Sequence, residues 1–228
     1  MAALVSEALV ERRTIRRYLP KPVPNEVLRE ILTQARWAPS SSNMQTTSVY
    51  VLQGKSLERY KADMLAYAKS GAKPNSELGI PHGLPEVYSE RQAALYKARR
   101  EFIDAEAVQS GIRPPEGVMP GSPWMDDIYG TPVLLILAAD QAVRLPHGLF
   151  DAGILAEAIV MAAYDHGLGS TITGSMVRYS DLVRKTIPGL EGKDIIVGIA
   201  LGYPDMSEAV NRFPRTRLPL EEFVTYVE

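Results

Sequence analysis

Two stretches limit the folds open to this chain. TPVLLILAAD (131–140) is an unbroken apolar run of strand length, and FDAGILAEAIVMAAYDHGLG (150–169) is alanine-rich and apolar almost all round. A strand without polar alternation is covered on both faces, so it belongs at the centre of a sheet. A helix without a polar face is covered on most of its circumference. In a chain of 228 residues, that predicts burial of this helix at a subunit interface as well as in the core. DIIVGIALGYP (194–204) reads as a second buried strand, and TTSVYVLQG (46–54) as a β-branched strand ended by Gly54. NEVLREILTQARWAP (25–39) has apolar residues at 27, 28, 31, 32 and 35, with Asn25 as N-cap and Pro39 as stop. KSLERYKADMLAYAKSG (55–71) is a further amphipathic helix. Strands and helices alternate without regular βαβ repeats, which predicts an α+β sandwich around a central sheet.

Residues 71–125 change character: they are rich in proline and glycine around one polar helix, PEVYSERQAALYKARREFIDAE (85–106). They read as an excursion or lid on a single domain spanning 1–228. The N-terminal MAALVSEALVERR lacks a basic region before its apolar residues and carries Glu7, so it reads as a short amphipathic helix and not a signal peptide. No stretch approaches ~18 uninterrupted apolar residues, so no membrane span is expected. Cysteine is absent, which excludes disulfides, thiolate metal sites and cysteine nucleophiles and makes a cytoplasmic location the default. The three histidines (82, 147, 166) share no metal-ligand spacing, so no metal is expected.

The net charge of −2 argues against a nucleic-acid coat, yet the arginines are unevenly placed. Of 17, four lie at 12, 13, 16 and 17 and three more at 212, 215 and 217. Guanidinium forks bind phosphate oxygens in pairs, and Thr14 adds a hydroxyl donor. The two clusters mean two local anion sites or one site built from both chain ends. Each also has a bland explanation, a solvated helix end for the first and a solvated tail for the second. PSSSNMQ (39–45) offers short polar side chains between a helix and a strand, as ordinary turns also do. GLGSTITGS (167–175) is neither a dinucleotide fingerprint nor a P-loop in its context. There, one glycine caps the preceding helix, and Gly174 allows backbone N–H groups to approach a planar ligand. No nucleophile elbow or acid–base pair is evident, which suits a protein whose cofactor does the chemistry.

In order, ERRTIRRY, ILTQARWAPSSSNMQ, GLGSTITGS after a long alanine-rich helix, and GIALGYPD followed by RFPRTRLPLEEFV resemble the nitroreductase family. The resemblance covers the chain except 71–125. It implies an α+β sandwich with a central, mostly antiparallel sheet flanked by helices, and a homodimer holding FMN at two interface sites. Arg12, Arg13, Thr14, Arg215 and Arg217 would grip the FMN phosphate and ribityl chain, and Arg16 would face the N1/C2=O edge. The loop with Pro39, Ser40, Ser41, Asn43 and Gln45 would approach from the partner subunit. Ile172, Thr173 and Gly174 would lie beside the ring, with a backbone N–H toward N5. The implied chemistry is ping-pong transfer of hydride from NAD(P)H to the flavin and of two electrons to a small nitroaromatic or quinone. Reductive dehalogenation, enone reduction and non-enzymatic flavin binding are the alternatives. Tyr88, Arg91 and Trp124 are the candidate substrate contacts, with Trp124 and Tyr129 better explained by packing. Many relatives continue the 39–45 loop with proline and an aromatic, where this chain has Thr46 and Thr47.

Overall fold

In the computed structural model, residues 5–79, 83–110 and 127–227 are described. Four strands form one antiparallel sheet: β1 (Thr47–Gln53), β2 (Val133–Asp140), β3 (Gly169–Thr173) and β4 (Lys193–Gly202), in the order β1-β2-β4-β3. The apolar 131–140 run becomes β2, paired with β1 on one side and β4 on the other. Its alternate residues feed two cores, which is why no polar alternation appears in it. Leu134, Ile136 and Ala138 pack with Tyr60, Met64, Met176 and Leu182. Val133, Leu135 and Leu137 pack with Ile31, Ile159, Ala163 and Ile199 on the opposite face.

The helices supply these two layers. α1 (Val5–Glu11) and α2 (Asn25–Ala35) precede β1, and α3 (Gly54–Lys69) follows it. α4 (Glu86–Ser110) is the polar helix of the excursion. α5 (Leu145–Asp165) is the alanine-rich helix, α6 (Ser180–Thr186) follows β3, and α7 (Ala209–Arg212) and α8 (Leu220–Phe223) end the chain. The α+β sandwich with an antiparallel sheet is thus observed.

Several local expectations are corrected. Asn25 is not the N-cap of α2. Pro24 holds that position with no side-chain cap, while Asn25 Oδ1 accepts a hydrogen bond from Gln53 Nε2 at 2.6 Å. α5 begins at Leu145, five positions earlier than its composition suggests, with proline in the first turn. Within one chain, Asp151, Ala152, Ala156, Ile159, Val160 and Ala163 of this helix are buried and Phe150 is 68% exposed. By length and composition alone this 21-residue helix would pass as a membrane span, but it packs against β2, β3 and β4 and buries Asp151. Trp124, His82 and much of the excursion lie outside the described residues.

Candidate functional site

The two arginine clusters meet in one place. α1 ends at Glu11, and the chain then crosses the end of β3, where Thr14 makes a parallel bridge to Ser170. The Ile15 N–H donates to the Ser170 carbonyl at 2.8 Å. This close approach requires Gly169, because a Cβ there would lie 2.5 Å from Ile15 Cγ1. Asn211, fully buried, then ties the far end of the chain to this segment. Its Oδ1 accepts from the Arg16 N–H at 2.8 Å, and its Nδ2 donates to the Arg17 and Asp205 carbonyls at 2.8 Å each. The Arg13 guanidinium donates to the Phe213 carbonyl, and Arg215 donates to the Arg12 carbonyl.

The result is a cleft of about 710 Å³ containing Arg12, Arg13, Thr14, Arg16, Arg215 and Arg217, with Arg91 and Arg99 from α4 on its other wall. Among the described residues, no Asp or Glu lines it. The nearest ion pairs are long, 3.9 Å from Arg12 to Glu157 and 4.0 Å from Arg215 to Glu11. Burial lowers the Arg13 pKa, and the neighbouring Arg215 lowers it further, against a smaller opposing effect of Glu11. Several guanidinia converging in a partly buried cleft, with only long ion pairs beside them, make its potential positive and suit it to an anion. The two arginine windows, which the sequence leaves open as two sites or one, converge on one cleft.

The residues at the end of β3 do not line this cleft. They follow Ser170 along the strand that carries the N-terminal segment. Ile172 is 40% exposed, and a Cβ on Gly174 would meet open space. The Ser175 N–H donates to Thr173 Oγ1 at 3.2 Å, fixing the turn. Ile172 and Thr173 pair with Ile199 and Gly198 of β4, and β3 is the edge strand of the sheet on its other side.

The 39–45 loop lies apart. Pro39, Ser40 and Gln45 line a second cavity of about 290 Å³ that shares no residue with the first. Ser42, Asn43 and Gln45 all have positive φ (49°, 56° and 52°), a strained arrangement for residues with side chains. The loop is held by buried Asp151, whose carboxylate accepts from the Ser41 N–H at 3.0 Å and the Ser41 hydroxyl at 3.1 Å. Ser40 Oγ accepts from the Gln45 N–H at 2.9 Å. The loop cavity and the arginine cleft are therefore separate within one chain.

On α4, Arg91 reaches the cleft, 4.0 Å from Glu222, while Tyr88 is more than half exposed and outside the lining. Tyr129 packs in the core, as expected. Arg99, Asn211 and Asp151 escaped the sequence reading. Arg99 falls eight positions after Arg91 on the same helix face, a spacing that was readable. Nothing in the sequence singles out Asn211 or Asp151. Among the described residues no group of three or more His, Asp or Glu is placed to hold a metal.

An antiparallel sheet between two helical layers, with an arginine-lined cleft where the two chain ends meet, defines the α+β class of this protein. The family model for the nitroreductase family matches residues 9–203. The chain is 32% identical to a chloronitrobenzene nitroreductase of Comamonas testosteroni over 98% of this chain and 96% of the relative. It is 28% identical to a 4-nitrobenzoate reductase of Pseudomonas putida, over 91% and 89%. In structure it is similar to the FMN-dependent nitroreductase NfnB from Mycobacterium smegmatis, solved in complex with NADPH. The TM-score is 0.81 at 24% identity, over 98% of this chain and 97% of that one. The chain belongs to the nitroreductase family.

Proposed function

We propose that this chain is an FMN-dependent oxidoreductase that draws electrons from NAD(P)H and reduces small nitroaromatic or quinone-like acceptors. The observation that carries this reading is the acid-free arginine cleft assembled from residues 12–16 and 213–217. The residues fit a phosphorylated flavin. Buried Arg12 Nε and Arg99 Nε lack hydrogen-bond partners, and Thr14 adds a hydroxyl in the same cleft. The chemistry FMN supplies when bound is hydride acceptance followed by two-electron delivery. Arg12, Arg13, Thr14, Arg215 and Arg217 hold its phosphate end, and Arg16 offers a cation toward the ring. The backbone of Ile172, Thr173 and Gly174 takes the side of the ring, and Arg91 on α4 meets the acceptor at the cleft's lip. The chain contributes orientation and charge, and no nucleophile.

The working unit is a homodimer on this reading. Trp37, Phe150, Phe223 and Tyr226 expose large apolar surfaces, and Pro39–Gln45 completes its partner's cleft rather than its own. Each chain is one domain, with 71–125 as the excursion that carries α4.

The test is an absorption spectrum of purified protein, release and chromatography of its chromophore, and anaerobic addition of NADH or NADPH. FMN bleached by either donor and reoxidised by a nitroaromatic supports the reading. A protein that neither carries nor binds FMN sinks it. Arg12→Ala and Arg215→Ala each lose ~1.5–3 kcal/mol of FMN binding, roughly ten- to a hundredfold in Kd by fluorescence quenching, with little change in folding stability.

A further inference from the structure

Arg99 is 6% exposed, and its Nε is buried without a hydrogen-bond partner. No carboxylate among the described residues pairs with its guanidinium. Its neighbours are the rings of Tyr96 at 5.9 Å and Phe213 at 5.8 Å, together with a second cation, Arg16. Burial lowers its pKa most, and Arg16 adds to that. The C-terminal half of α4 holds it in place. Phe102 meets Phe213 edge-on at 5.8 Å, Glu106 pairs with Arg212, and Ile103 is buried. Arg99 therefore sits on a clamped stretch of helix, facing the cleft with Ala94 and Ala98, whose small side chains leave it open.

The guanidinia of the cleft fall into two sets. Arg13 and Arg215 act on each other at the junction of the two chain ends, and Arg16 and Arg99 act on each other across the cleft toward α4. A doubly charged phosphate answers the first set. A desolvated guanidinium with a buried, unpaired Nε needs a resident hydrogen-bond acceptor, because a substrate that departs each cycle would leave it unpaired for much of the time.

Resting on the FMN reading, we propose that Arg99 is a cofactor-binding residue that joins Arg16 at the N1–C2=O edge of the flavin and stabilises the charge gained on reduction. Hydride from NAD(P)H brings two electrons and one proton to N5. One net negative charge is then left on the ring at that edge, and NAD(P)+ departs. A buried cation there favours reduction electrostatically.

The experiment measures FMN and riboflavin affinity by fluorescence quenching, and the two-electron potential of bound FMN against a reference dye, in wild type, Arg99→Met and Arg99→Lys. In Arg99→Met the equilibrium constant for reduction falls at least tenfold, about 30 mV. FMN and riboflavin weaken by the same factor, and Arg99→Lys stays within threefold of wild type in potential. Arg99→Gln carries the same expectation if the methionine variant does not fold. An unchanged potential in a variant that binds FMN overturns the proposal. So does a loss of affinity confined to FMN, which would assign Arg99 to the phosphate. Wild type that binds neither flavin overturns the underlying cofactor reading instead.

Discussion

Asn211 shows how one amide can hold a site that it does not line. Its three hydrogen bonds all go to backbone groups, two of them belonging to the arginine segment. Asn211→Ala leaves a half-buried N–H and two half-buried carbonyls without that partner, and stability falls by about 1–3 kcal/mol in urea unfolding, with weakened FMN binding alongside. Tyr60 makes a different prediction. It is fully buried, its hydroxyl donates to the Met176 carbonyl at 2.7 Å, and burial raises its pKa well above the tyrosine range, against a small opposing effect of Arg178. The folded protein keeps this phenol neutral, whereas the unfolded chain ionises it near ~10. Its contribution is therefore complete below pH ~10 and is lost as pH rises beyond it, by up to ~1.4 kcal/mol per pH unit. Unfolding measured from pH 9 to 11 will show a shallower decline for Tyr60→Phe than for wild type.

At the scale of elements, the N-terminal segment and β3 form one device. Gly169→Ala places a Cβ against Ile15, so the Thr14–Ser170 bridge is pushed open. The expected cost is ~1–3 kcal/mol in stability, with FMN affinity falling more than tenfold by titration of the apoprotein. This device also marks the limit of what sequence reveals. β2 was legible because an apolar run without alternation has one physical explanation, and both clusters of arginine were visible as charge. That Gly169 serves a close approach, while Gly167 (φ 71°) makes the turn after α5, was not legible, since both glycines look like caps. Asn25 misled for a related reason. Its amide suits a cap in isolation, but Gln53 from another element offers it a partner. Tertiary contacts decided each of these, and local pattern does not encode them.

For the whole molecule, the proposed homodimer makes a prediction about assembly, because the 39–45 loop and the arginine cleft are separate within one chain. An Arg12→Ala chain lacks a working cleft, and a chain with a disrupted 39–45 loop, such as Asp151→Ala, lacks the part it lends. Neither homodimer retains FMN well. Mixed dimers pair the intact cleft of one with the intact loop of the other, so unfolding and refolding an equal mixture restores about a quarter of the wild-type sites, from random pairing of two chains. Flavin absorbance after gel filtration counts them, and no recovery would place both half-sites in the same chain. The clasp between residues 12–17 and 211–217 has a further consequence in time. The two halves of the clasp lie far apart in the chain, and residues 211–217 are made after every strand of the sheet. On the proposed FMN reading, cofactor capture waits for this last-made part of the clasp, and a change in residues 211–217 acts on loading more than on the sheet.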